Sequence, residues 1–176
     1  MSTTHTRVLG IDPGLRLTGY GCLTASPNGV EMSIVEAGVI RIPTKAPLHE
    51  RLAYLHAGVS EILNELTPAL VVVESAFVHR TRGQTALQMG HGRGVILLAA
   101  AQYVASQQHD GHPAPNVLEL SPAEVKAAVA GHGRATKEQI QHATASILGM
   151  QGPIEQPDAA DALAIAIAAA ARHAST

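Results

Sequence analysis

Val8-Leu9-Gly10-Ile11-Asp12-Pro13-Gly14 is a short apolar run that ends on an acid and two turn-forming residues. Leu70-Val71-Val72-Val73-Glu74-Ser75 repeats the pattern farther along the chain. Runs this short between turn signals read as strands. The unbroken Val/Leu content of the second predicts burial on both faces, as in a parallel sheet. Outward from these two, residues 18–25 and 31–42 read as strands joined by the hairpin signal Ser26-Pro27-Asn28-Gly29. Residues 47–66 read as an amphipathic helix with Leu48, Leu52, Leu55, Val59, Ile62, Leu63 and Leu66 on one face. A helix over about 85–107, a strand over 117–120 and helices over 122–130, 137–148 and 158–173 complete the reading. The order is three strands, then alternating helices and strands, then helices. It predicts an α/β fold with a five-stranded mixed sheet flanked by helices. Residues 1–6 are expected to be a disordered tail and 7–174 a single domain.

The 176-residue length and 46% hydrophobic content suit one full core. One cysteine, Cys22, excludes an intramolecular disulfide and a cysteine-rich zinc site, and a cytoplasmic setting is expected. No signal peptide or run of transmembrane length is visible, so no membrane partner is expected.

Asp12 and Glu74 each close a strand, and Asp158 and Asp161 open the last helix. Only four aspartates exist in the chain, and three of them are in this set. Parallel strands end on one edge of a sheet. If the strands at 7–11 and 70–74 are neighbours, Asp12 and Glu74 meet there, where open α/β sheets collect their ligand sites. Asp158 and Asp161 share a helix face in the first turn, where the helix dipole favours negative charge. Each acid taken singly has a local explanation as a turn residue, strand end or helix cap. Together they make a self-repelling cluster that asks for cations, and oxygen-only ligation points to Mg²⁺ or Mn²⁺.

The net charge of −2 speaks against a uniformly basic binder of nucleic acid. The basic residues are nevertheless segregated. Arg80, Arg82 and Arg93 lie in an acid-free stretch from Ser75 to Arg93. Lys126, Arg134 and Lys137 lie in another from Val125 to Lys137. These six leave −8 on the remainder and could form a local phosphate-binding surface. Phe77, the only Phe, follows Glu74 by three residues in a polar, basic segment. It is either core or a stacking wedge for an unpaired base. Gly90, Gly92 and Gly94 suggest close helix packing, including between subunits.

On these residues the chain resembles the RuvC family of bacterial Holliday-junction resolvases. The resemblance runs through Leu9-Gly10-Ile11-Asp12-Pro13-Gly14, Thr18-Gly19-Tyr20-Gly21 and Val73-Glu74-Ser75-Ala76-Phe77. It continues through Gly92-Arg93-Gly94-Val95 and Val125-Lys126 to the segment from Gln156 to Ala166. It implies a ribonuclease H-like fold and catalytic metal ligation by Asp12, Glu74, Asp158 and Asp161. It implies base contact by Phe77 and DNA contact by Lys126 and Lys137. Arg80 and Arg82 lie where His79-Arg80-Thr81-Arg82 departs from the family's usual loop. The implied activity is paired cleavage of four-way junction DNA by a homodimer, leaving 5′-phosphate and 3′-hydroxyl ends. Two divalent ions roughly 4 Å apart are expected at each site. The RuvA–RuvB branch-migration complex is the implied partner. Competing readings are a RuvX/YqgF-type nuclease acting on RNA, a non-catalytic junction-binding protein and an actin-like ATPase. The last needs two such domains, and this length holds one.

Overall fold

The computed structural model of the chain describes residues 5–75, 83–108, 114–152 and 154–174. Five strands and five helices follow in order: β1 (Thr6–Asp12), β2 (Leu17–Ala25), β3 (Met32–Arg41), α1 (Leu48–Leu66), β4 (Leu70–Glu74), α2 (Gly83–Ser106), β5 (Asn116–Leu120), α3 (Pro122–Ala130), α4 (Lys137–Ile147) and α5 (Pro157–His173). The sheet order is β3-β2-β1-β4-β5. β1 pairs antiparallel with β2 and parallel with β4, and β4 pairs parallel with β5. The condition on which the acid cluster rested is therefore met: β1 and β4 are hydrogen-bonded neighbours, with Ile11 opposite Val73. The expected element order and the five-stranded mixed sheet are both observed. Strand β1 begins at Thr6, so that residue belongs to the sheet rather than to the expected tail.

Alternation along the strands divides the core in two. Leu9, Ile11, Val71 and Val73 point to one face, where α1 and α2 cover them through Leu55, Val59, Leu63 and Ile96. Val8, Leu70 and Val72 point to the other, against α5 side chains from Ala164 to Ala170 and against α3 and α4. Residues 70–73 are all buried, as a strand covered on both faces requires. Helix α1 follows its expected stripe except at the start. Leu48, in the first turn, is 40% exposed, while the buried stripe runs through Leu55, Val59, Leu63 and Leu66.

Helix α5 lies against β1 and β2 because those strands carry glycine beneath it. A Cβ at Gly10 would stand 2.2 Å from the Ala162 carbonyl oxygen and 2.7 Å from the Ala166 nitrogen. At Gly19 it would stand 2.0 Å from the Asp158 carbonyl oxygen, and at Gly21 2.6 Å from Leu163 Cγ. Asp158, Ala162 and Ala166 are spaced four apart, so one stripe of α5 sits on these glycines. The alanine content of α5 serves the same close approach: from Ala159 to Ala170 only Asp161 escapes full burial.

Candidate active site

Alternation also decides where the strand-end acids point. Asp12 shares the parity of Val8 and Gly10, and Glu74 that of Leu70 and Val72. Both therefore leave the sheet on the α5 side. The register places Gly19 directly across from Asp12. Because Gly19 has no side chain, the first turn of α5 can descend beside Asp12 and bring Asp158 and Asp161 with it. Pro157 at the first helical position starts α5 with its φ preset, and Asp158 lies in the first turn, where the helix dipole favours a carboxylate.

The loop after Asp12 is held by neighbours as well as by Pro13. The fully buried Thr18 donates its hydroxyl to the Gly14 carbonyl at 2.7 Å and accepts the Gly14 N–H at 3.3 Å. Arg51 of α1 donates to the Leu15 carbonyl. Beyond Glu74, the Ser75 N–H donates to the Leu120 carbonyl at 2.8 Å, tying the end of β4 to β5.

Asp12, Glu74 and Asp161 line one cleft of about 230 Å³ with Lys126, Lys137, Val125 and Ile140. Burial, then Glu74, then Asp161 and Asp158 push the Asp12 carboxyl from 3.8 up to about 7, with Lys137 opposing. Burial, followed by Asp161, raises Glu74, with Lys126 opposing. All four expected acids thus act on the same small volume, although Asp158 does not line the cleft itself. Among the described residues no group of three or more acids, histidines or cysteines is gathered closely enough to hold one ion. The Asp161 Oδ2 atom instead accepts a hydrogen bond from the Lys137 ammonium at 2.7 Å. The cleft lining offers carboxylate oxygens from Asp12, Glu74 and Asp161 and no histidine or cysteine, a donor chemistry that suits a hard divalent cation, with Asp12 and Glu74 held above their ordinary range by burial and neighbouring acids.

The basic residues come from capped helix starts near the same edge. Ser121 and Glu124 form a capping box that starts α3, which carries Lys126. Thr136 and Gln139 form a second at α4, with Lys137 as its first helical residue. Each such cap typically contributes about 1 kcal/mol. Arg134 is exposed in the turn between α3 and α4 and does not line the cleft. Arg93 pairs with Glu119 of β5. Phe77, Arg80 and Arg82 lie outside the described residues. The residues that sequence reasoning missed are positional: Gly10, Gly19 and Gly21, together with Thr18. Their signal was present as strand parity, since glycines at 10, 19 and 21 all fall on the face that carries Asp12.

The family model described as "Crossover junction endodeoxyribonuclease RuvC" matches residues 8–169. The RuvC of Moorella thermoacetica is 41% identical over 160 residues, 91% of this chain and 88% of that one. The RuvC of Halorhodospira halophila is 42% identical over 163 residues, 92% of this chain and 88% of that one. Among solved structures, Thermus thermophilus RuvC in complex with a Holliday junction substrate superposes with a TM-score of 0.80. It is 32% identical, covering 93% of this chain and 92% of that chain.

Proposed function

The chain belongs to the RuvC family of crossover junction endodeoxyribonucleases, and from that premise we propose that Asp12, Glu74, Asp158 and Asp161 are the acids with which it works. It has the ribonuclease H-like fold of that family and is a hydrolase of DNA phosphodiester bonds that resolves Holliday junctions. The family's enzymes depend on divalent metal. The observation that carries the site assignment is the convergence of the acids: Asp12, Glu74 and Asp161 line one cleft, and beside burial two other elements, β4 through Glu74 and α5 through Asp161 and Asp158, help raise the Asp12 carboxyl to about 7.

In this reading the strand ends hold Asp12 and Glu74 side by side, and α5 supplies Asp158 and Asp161 from above. These four would hold Mg²⁺ or Mn²⁺, two ions per site. Bound there, the cations would supply a nucleophile at neutral pH and neutralise charge on the scissile phosphate. Lys126 and Lys137, on the cleft wall, would take backbone phosphates and fix the strand against the acids. Arg80, Arg82 and Arg134 would extend that basic surface, and Phe77 would contact a base at the junction.

Resolution needs two cuts and the described residues of each chain form one such acid-lined cleft, so a symmetric homodimer is part of the proposal. The exposed face of α2 supports it. Leu87 and Leu98 are 62% and 52% exposed, and a Cβ added at Gly90 or Gly94 would meet nothing within 4 Å among the described residues. Gly92 alone of the three glycines packs inside the chain, against Leu15 and Leu55. The RuvA–RuvB complex is the proposed partner in branch migration, and the cytoplasm the proposed setting. Among the described residues, no helix is long and apolar enough to cross a membrane.

The test is a substrate panel in Mg²⁺ and in Mn²⁺: synthetic four-way DNA, linear duplex, single-stranded RNA and RNA–DNA hybrid. Paired nicks with 5′-phosphate ends on the four-way DNA are expected. Preferential cleavage of RNA would overturn the proposal. A junction with pre-unpaired bases at its centre tests Phe77: Phe77→Ala should slow cutting of the intact junction more than of the opened one. Equal loss on both would remove its base-contact role.

A further inference from the structure

Lys137 holds a position that DNA contact alone does not account for. Its ammonium donates to Asp161 Oδ2 at 2.7 Å, on a carboxylate 24 residues away in sequence. The backbone beneath it is fixed by the Thr136–Gln139 capping box at the start of α4. Both side chains line the cleft, that of Asp161 28% exposed and that of Lys137 55% exposed. Its charge also reaches Asp158 and Asp12, which help Asp161 raise the Lys137 ammonium above its ordinary range. Lys126 lines the same cleft and acts on Glu74 by charge.

We propose that Lys137 is a built-in counterion that competes with the divalent cation for Asp161, so that metal loading requires its displacement. The proposal rests on the metal-ligand role assigned above to Asp161. The ammonium engages an Oδ2 lone pair that a cation could use, and a divalent cation beside it adds like-charge repulsion. Once displaced, the ammonium stands free at the cleft mouth for a DNA phosphate. A phosphate that captures Lys137 in turn releases Asp161. Junction and metal therefore favour each other's binding by the same factor. The free enzyme is held in a poorly loaded state, and DNA raises its affinity for the cation.

The chain has three lysines, Lys45, Lys126 and Lys137, which makes the idea directly observable. Mn²⁺ binding to the free protein, read by the electron paramagnetic resonance signal of unbound Mn²⁺, is compared among the native chain, Lys137→Gln and Lys137→Arg. Lys137→Gln should bind on the order of five- to tenfold more tightly, the lower range of typical coupling. Lys137→Arg, which keeps the charge, should stay close to the native value. Separately, the Nζ resonance missing from Lys137→Gln identifies Lys137 in the ¹⁵N spectrum of the native protein, and it should shift on saturation with Mg²⁺. Unchanged or weaker Mn²⁺ binding by Lys137→Gln, or an Nζ resonance indifferent to Mg²⁺, overturns the counterion role and leaves the acid assignment intact. Failure of every form to bind Mn²⁺ overturns the acid assignment, and the counterion role with it.

Discussion

Gly19→Ala should disable the enzyme without unfolding it. The added methyl would stand 2.0 Å from the Asp158 carbonyl oxygen and 3.2 Å from Asp158 Cβ. Ordinary contact for such a pair begins near 3.4 Å, so the first turn of α5 must rise by roughly 1 Å or β2 must sink. Backbone is the obstacle, and no side-chain rotamer relieves it. Overpacking of this kind typically costs about 1–3 kcal/mol of stability. A displacement of about 1 Å in a catalytic constellation costs about 100-fold in rate. Metal-dependent cleavage of a synthetic four-way junction, under single-turnover conditions, should therefore fall about 100-fold. Junction binding should change far less, because Lys126 and Lys137 sit on α3 and α4. Gly152→Ala is the control, since a Cβ there meets nothing within 4 Å among the described residues. Gly19→Ala with near-native cleavage would refute the claim that glycine at this position sets the height of Asp158 over Asp12.

Three further outcomes follow from the geometry. The Asp12 carboxyl sits at about 7 in the folded chain against 3.8 as its ordinary value, so it favours the protonated form in the fold. Stability of the cation-free protein should fall as pH rises from 3.8 through 7. Above that window the ionised carboxylate costs up to about 4 kcal/mol. Asp12→Asn should then raise the denaturation midpoint in EDTA at pH 8 and lose that advantage at pH 4; a lower midpoint at pH 8 contradicts the buried-cluster reading. Lys126→Ala should weaken junction binding and reduce the salt slope by about 1; an unchanged slope would remove Lys126 from the phosphate surface. Leu98→Glu, on the exposed face of α2, should convert a dimer to a monomer in sedimentation velocity; a native chain already monomeric, or a dimeric variant, would exclude that face.

Short-range chemistry made much of this fold readable. The run of one leucine and three valines in β4 and the Pro-Asn-Gly turn between β2 and β3 each act within a few residues and were legible; the capping boxes of α3 and α4 are just as local but were not read from the sequence. Pairing of β1 with β4 is long-range, and it enters the sequence reading only as the condition under which the acids would meet. Parity put Gly10, Gly19 and Gly21 on the Asp12 face, but their purpose became visible only with α5 resting on them. Leu48 fits the helical period yet is 40% exposed, because the period fixes which face a side chain is on and not what covers it. The Lys137–Asp161 contact joins two helix starts and leaves no spacing in the sequence to find. Phe77 rests on the resemblance and Arg80 and Arg82 on the segregation of charge, in a segment outside the described residues.

The most direct test of the four-acid site separates binding from chemistry. Asp12→Asn removes one charge from the cluster and leaves Lys126 and Lys137 in place. With a synthetic four-way junction, its binding affinity should stay near that of the native chain. Its cleavage in Mg²⁺ or Mn²⁺ should fall on the order of a thousandfold, the upper range for loss of one preorganised charge-stabilising group. Cleavage retained at the native rate would contradict the site, as would loss of binding in parallel with loss of cleavage.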